Sequence, residues 1–176
     1  MSKQTWEIDL EHANVKFTIP HMVIGKVVGL IKSFGGTITS QGVDFDNAKV
    51  EASLDASSLD TNNAKRDAHL KSVDFLEVDK YPTIRFVSTQ FKRKGERQFE
   101  VEGKLTIKNQ THPVTLETTY KGIQKDPWGN IKLGFAATTQ IRRVRFGLTW
   151  DKPLENGALF IGHEIDIDIN AEFYKR

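Results

Sequence analysis

The sequence predicts an all-β fold: an extended antiparallel β-barrel of about eight strands, with one short helix between strands. Three observations predict it. Apolar and polar residues alternate through most of the chain, the pattern of strands with one buried and one wet face. Helical character is confined to one stretch, Asp60 to Ser88, so no layer of helices can cover an apolar sheet face. Strands this numerous and this two-sided would leave edges and curl if the sheet stayed open, so the sheet must close on itself.

The elements follow in order. Trp6 and Ile8 alternate with Glu7 and Asp9; a polar turn is expected at Glu11 to Asn14, and then Val15, Phe17 and Ile19 face one way. Pro20 lacks an N–H and is expected to stop the ladder. His21 to Ile31 carries Gly25 and Gly29 and fits either a bulged strand or a short helix. Gly35-Gly36 precedes a strand through Ile38. Val43 to Leu54 is another, with a parity shift near Phe45 that predicts a turn or bulge. Strand resumes at Thr83, turns at a charged tip centred on Gly95, and continues through Phe99 to Ile107. Asn109-Gln110 turns the chain into Val114 to Tyr120, and Asp126-Pro127-Trp128-Gly129-Asn130 is a strong turn before Ile131 to Ala137. Phe146, Leu148 and Trp150 share a parity, Glu155-Asn156-Gly157 turns, and Gly157 to Tyr174 alternates as one long final strand.

Composition narrows the function classes. The 176 residues read as one domain, 1–176, long enough to bury a sizeable core. The 25 basic and 23 acidic residues are interspersed, which argues against a nucleic-acid footprint. There are no cysteines, so disulfides, thiolate metal sites and cysteine nucleophiles are excluded. No run approaches the roughly 18 apolar residues of a membrane span. MSKQTWEIDLE has no apolar signal-peptide core, so a cytoplasmic location is expected.

The five histidines are scattered, with no HExxH and no other ligand spacing, so no metal is expected. GxSxG and GxxxxGK are absent. The densest ionisable set is Arg66, Asp67 and His69. On a helix Arg66 and His69 share a face and Asp67 can pair with Lys71. The set fits a solvated helix capped by Thr61, Asn62 or Asn63, or a lid over a barrel mouth whose cations meet a polar headgroup.

Four blocks fall in the order and spacing of the YceI-like proteins: WEIDLEHANVKFTIPHM, RDAHLKSVDFLEVDKYPTIRFVS, VEGKLTIKNQTHPVTLE and RFGLTW. The resemblance covers about Trp6 to Glu172. It implies a lipocalin-like barrel with an apolar tunnel, a long-chain isoprenoid lipid as partner (an isoprenoid quinone or a polyprenyl phosphate), no cofactor, and a possible homodimer. The tunnel wall would then be built by Phe17, Ile19, Phe75, Phe86, Leu105 and Phe135, with Phe146, Trp150, His163 and Ile165. The ligand's head would meet His21, Arg66, His69 or Arg143. Three positions depart from the family pattern: Leu30-Ile31 where an aromatic is expected, Asn109 for a glycine, and Arg142 for an asparagine.

The leading expectation is non-enzymatic binding, storage or transport of such a lipid, since each buried methylene contributes roughly 0.8 kcal/mol and few polar contacts are needed. Two alternatives stay open. One is a stress-related structural protein whose barrel is filled by its own aromatics. The other is an enzyme acting on an amphipathic substrate through Arg66 and His69.

Overall fold

Alternation carries β1 (Lys3–His21) through 19 residues, and the rest of the sheet is assembled on it. It is followed by β2 (Gly25–Ile31), β3 (Phe34–Gln41), β4 (Asp44–Asp55), a 3-10 turn (Ala56–Ser58), β5 (Leu59–Asp60) and α1 (Ala64–Lys71). Then come β6 (Thr83–Arg93), β7 (Gln98–Ile107), β8 (Gln110–Lys125), β9 (Ile131–Arg142), a second 3-10 turn (Arg143–Phe146) and β10 (Glu164–Lys175). The computed structural model describes residues 2–176. Strands neighbour one another in the order β10-β9-β8-β7-β6-β4-β3-β1, and β1 pairs back onto β10. Every pairing is antiparallel, so eight strands close into a barrel and no wide edge is left. The short β2 and β5 extend the wall above β3, with β2 taking over β1's free side from Val15 onward. No helix among the described residues is long and apolar enough to cross a membrane.

One end of the barrel is filled. Phe45 is the centre of a ring cluster with Trp6, Phe91, Phe135 and Tyr120, at centroid separations of 5.2 to 6.4 Å. Such tilted and edge-on pairs add to the area they bury. Trp6 is 1% exposed, and its indole N–H donates to Ser40 Oγ at 3.0 Å, so the polar atom is not left unpaired. This is the floor. Toward the other end the wall stays thin where rings lie flat on glycines. A Cβ on Gly103 would meet the Phe86 ring and come 2.6 Å from the Val87 carbonyl; one on Gly29 would come 2.7 Å from the Phe17 ring.

Several expectations change. The polar turn at Glu11 to Asn14 is instead a bulge inside a continuous β1, where the register against β10 jumps between Ile8 and Ala13. Asp9 fixes it by accepting from the Glu11 N–H at 3.1 Å, His12 Nδ1 at 3.0 Å and Lys132 Nζ at 2.6 Å. Pro20 does not end the ladder: it pairs with Lys26, and its carbonyl accepts from Gly162 N. His21 to Ile31 is a hairpin turn followed by strand. Phe146, Leu148 and Trp150 are not on a strand, and the final strand begins at Glu164, not Gly157. The cause of both lies with Arg143, described below. Asp67 does not pair with Lys71; its carboxylate accepts from the backbone and hydroxyl of Thr61. The helix is there, capped by Asn63, and strand resumes at Thr83 as expected.

Two outcomes are expected. Gly103→Ala should destabilise by about 1–3 kcal/mol, since a backbone carbonyl cannot step aside as a side-chain tip would; urea denaturation measures it. Burial opposes the Asp9 charge, but the hydrogen bonds from Lys132, His12 and Glu11 outweigh it and lower its pKa to about 2. A depressed carboxylate stabilises above its unfolded value and loses that contribution as pH falls through its folded one. Asp9→Asn should therefore cost ~1–2 kcal/mol at neutral pH, and the gap to the wild type should close between pH ~4 and ~2. Denaturation curves across that range check it.

Candidate functional site

Above the aromatic floor the barrel encloses a cavity of about 260 Å³. Its wall is nearly all hydrocarbon. Alternate residues of β1 (Val15, Phe17, Ile19), β4 (Val50, Ala52, Leu54) and β10 (Ile165, Ile167, Ile169) face it, and Gly36, Ala52 and Ala137 keep it from being filled. At the mouth it is closed by Leu70 of α1, Phe75 and Leu76 of the following loop, Leu148 and Arg143. Of the described residues on the wall, Arg143 is the one cation.

Arg143 sits where β9 breaks into the 3-10 turn, and it is 1% exposed. Its Nε donates to the Gly162 carbonyl at 2.7 Å, and Nη1 donates to Leu148 and Trp150 at 2.7 and 2.8 Å. Nη2 donates to Ile161 at 3.3 Å. Four of the five guanidinium N–H groups are thus committed to backbone carbonyls, and the fifth has no acceptor among the described residues. These bonds are why residues 147–163 do not run as strand. Their carbonyls turn inward to one planar fork rather than sideways to a neighbouring chain. No carboxylate reaches Arg143 among the described residues. Burial pushes its pKa down, and the charge of Asp151 works against that.

Aromatic rings line the lip. His21 stacks edge-on against Phe160 at 5.1 Å, Phe160 edge-on against Trp150 at 6.1 Å, and Trp150 edge-on against His69 at 4.8 Å and tilted against Phe75 at 5.4 Å. His69 Nε2 lies 2.9 Å from Asp74. Arg66 is turned inward on its own loop, donating from Nε to Thr61 Oγ1 at 2.8 Å and from Nη2 to the Thr61 carbonyl at 2.7 Å. Arg66 and Asp67 therefore brace Thr61, and His69 pairs with Asp74.

The residues singled out in the sequence are not all brought together. Phe17, Ile19, Phe75, Phe86, Leu105, Phe135, Arg143 and Ile165 line the cavity. His21, His69 and Trp150 form the lip, and Arg66 ties the α1 loop. Phe146 is buried against His112 at 5.1 Å, and His163 gives its carbonyl to the Arg143 N–H. Lining residues not singled out include Ile8, Val50, Ala52, Ile84, Val114, Ala137 and Ile167. Their inward parity was visible. Leu70 and Leu76 carried no such signal, because they lie on and after the helix, whereas Leu148 shared a parity with Phe146 and Trp150 although it lies outside a strand.

Asp9, His12 and Glu172 bring three ligand-type atoms within 4.8 Å of one another. Lys132 Nζ lies 2.6 Å from Asp9 and 3.8 Å from Glu172, so an ammonium already supplies the positive charge. The group is an ion-pair network rather than a metal cradle.

The model of the YceI-like domain family matches residues 6–173. A UPF0312 protein of Pseudomonas putida (strain W619) is 38% identical over 173 residues, 97% of this chain and 86% of its own. The crystal structure of Burkholderia cenocepacia BcnA superposes with a TM-score of 0.82 at 20% identity, covering 94% of this chain and 98% of BcnA. A polyisoprenoid binding domain from Saccharophagus degradans gives 0.70 at 13% identity, covering 98% and 99%. The structural likenesses establish a shared barrel, and the match along the sequence establishes kinship: this chain belongs to the YceI-like domain family.

Proposed function

We propose that this protein binds a long-chain isoprenoid-type lipid, without catalysis, in the barrel cavity. The observation that carries the reading is the wall itself: hydrocarbon from all ten strands and from α1, with one buried cation that no carboxylate pairs at the mouth. An apolar chain gains roughly 0.8 kcal/mol per methylene moved from water into such a space. The aromatic floor stops the chain at one end, which puts the head at the other. Membership of the YceI-like family supports the reading, as does the polyisoprenoid-binding character of the Saccharophagus domain that shares the barrel.

The unused N–H of Arg143 supports a head with a hydrogen-bond acceptor, a quinone carbonyl or a phosphate oxygen. A buried guanidinium paired only with carbonyls keeps its full charge, and an acceptor at the mouth would compensate it further. Arg66 and His69 are engaged with Thr61 and Asp74, which leaves Arg143 as the polar anchor of this reading. Storage or transport follows from binding without turnover. A homodimer, which the family resemblance implied, belongs to the same reading.

Solvent extraction of purified protein followed by mass spectrometry should release a prenyl lipid. Ala52→Phe, which places a ring in the cavity, should lower affinity for added prenyl quinones by about tenfold or more while the protein still melts cooperatively. An empty extract together with no uptake of prenyl ligands would sink the proposal. For the head, a prenyl chain ending in a carbonyl or phosphate should bind about tenfold tighter than a hydrocarbon of equal length, the value of one charge-assisted hydrogen bond. Equal affinities in a fluorescence titration would remove Arg143 from that role.

A further inference from the structure

We propose that the β1–β2 hairpin tip, Met22-Val23-Ile24, is a docking finger for an anionic lipid bilayer. It stands at the mouth end of the barrel. Ile24 is 89% exposed and Val23 70%, while turns that face water are ordinarily built from glycine, asparagine and other polar residues. Val28 and Leu30 continue the exposed apolar surface down the outside of β2. Singly, such residues need no explanation; contiguous at a projecting tip, they mark a contact surface.

The backbone sharpens the point. Met22 has φ 53° and Val23 φ 67°, the left-handed region that glycine and asparagine enter readily and a β-branched residue enters only under constraint. Local preference would place asparagine and glycine here. Two apolar side chains are kept instead, in a conformation that disfavours them, and burying themselves in water-excluded surroundings is what would offset that cost.

Charge identifies the surroundings. From Ala13 to Val43 the chain has no aspartate or glutamate, while Lys16, His21, Lys26 and Lys32 fall within it. Elsewhere the two signs are interspersed. Lys26 pairs opposite Pro20, just behind the tip, and is exposed; Lys32, farther back, is joined to Asp60 at 3.3 Å. Lys16 lies opposite Asp168 of β10, so the cation without a carboxylate partner behind the tip, among the described residues, is Lys26. An apolar tip backed by that lysine matches a bilayer interface with anionic headgroups, where apolar insertion and charge act together. The tip is also tied to the cavity mouth. Met22 N donates to the Phe160 carbonyl at 2.8 Å, and the rings of His21, Phe160, Trp150 and Phe75 run from the hairpin to the cavity wall. Docking there would set the mouth against the membrane. It does not depend on which lipid the cavity takes.

Trp128, 84% exposed at the tip of the β8–β9 turn, offers the opposite end of the barrel as a competitor. It is a single ring on a turn held by the Asp126 carboxylate. The test is co-sedimentation of the full chain with vesicles of phosphatidylcholine alone or mixed with phosphatidylglycerol. The wild type should partition onto the mixed vesicles on the order of tenfold more than onto the neutral ones, and less at high salt. The double variant Met22→Asn/Val23→Gly should lose about tenfold of that partition while its melting temperature holds or rises, because the turn is relaxed. Ile24→Ser should weaken it with no backbone change, and Trp128→Ser should leave it intact. The proposal falls if the wild type binds neither vesicle or if the double variant partitions as the wild type does. It falls equally if Trp128→Ser is the variant that loses binding. Dissociation of a wild-type dimer by the double variant, with vesicle binding unchanged, would assign the tip to a second copy of this chain and overturn it. Uptake of a prenyl ligand from detergent by the same double variant separates a failure here from a failure of the cavity reading.

Discussion

The seam between β1 and β10 is the pairing on which everything else depends. A sheet with one apolar face and no helical layer over it is stable in water only when its first and last strands meet. Here they meet from Trp6↔Lys175 to Thr18↔Asp166, and β1 reaches that far because it is bulged. The bulge lets one strand serve β3 in its first part and β2 in its second, with Ile8 to Asn14 passing unpaired on that side. Bulges bend strands and increase twist, which is what a strand following a closed wall requires. The Asp9, Lys132 and Glu172 network lies across this seam, joining β1, β9 and β10 on the outer face. Its Asp9–Lys132 pair is largely shielded from water, which makes it stronger than an ordinary surface pair, while Glu172 sits at its wet edge.

Closure by ladder hydrogen bonds leaves two open ends, and the chain treats them differently. The floor is sealed by side-chain area: Trp6, Phe45, Phe91, Phe99 and Phe135 occupy the axis, and their packing tolerates no vacancy. The mouth is sealed by directional bonds to one guanidinium. A planar fork with five donors can gather carbonyls from Leu148, Trp150, Ile161 and Gly162 at once, which a lysine ammonium with three donors cannot. Breaking that arrangement would strand several carbonyls, so the mouth's order rests on one residue far more than the floor's rests on any single ring.

This difference explains what could be read in the sequence. Strands, hairpins and the helix were legible because period-2 alternation, Gly95, the Asp126 to Asn130 turn and the Asn63 cap are local signals. The inward parity of Ile165, Phe135 and Leu105 placed them on the cavity wall for the same reason. The mouth was not legible. Ile161 and His163 alternate as faithfully as Ile165 and Ile167, yet their backbone groups are drawn to Arg143 and to the β1–β2 turn, where Ile161 bridges to His21. Alternation reports which side chains are apolar; it does not report where the carbonyls go. Likewise Asp9 and Lys132 are distant in sequence, and no spacing rule connects them.

Arg66, Asp67 and His69 drew attention because they are charged and close together, but closeness in sequence is what allows charges to satisfy one another. Arg66 and Asp67 both bind Thr61, and His69 meets Asp74. A charge with chemistry left over is found where local partners are lacking, and Arg143 is such a charge: buried, without a carboxylate, and facing hydrocarbon. The segment it holds has few ladder bonds of its own, so its order depends on those four guanidinium bonds, while the β1–β10 seam and the floor are held independently of them. A ligand that compensates Arg143 would close the mouth more firmly behind it. In the reading proposed above, the head of the ligand would therefore act on the same side chain that orders residues 147–163.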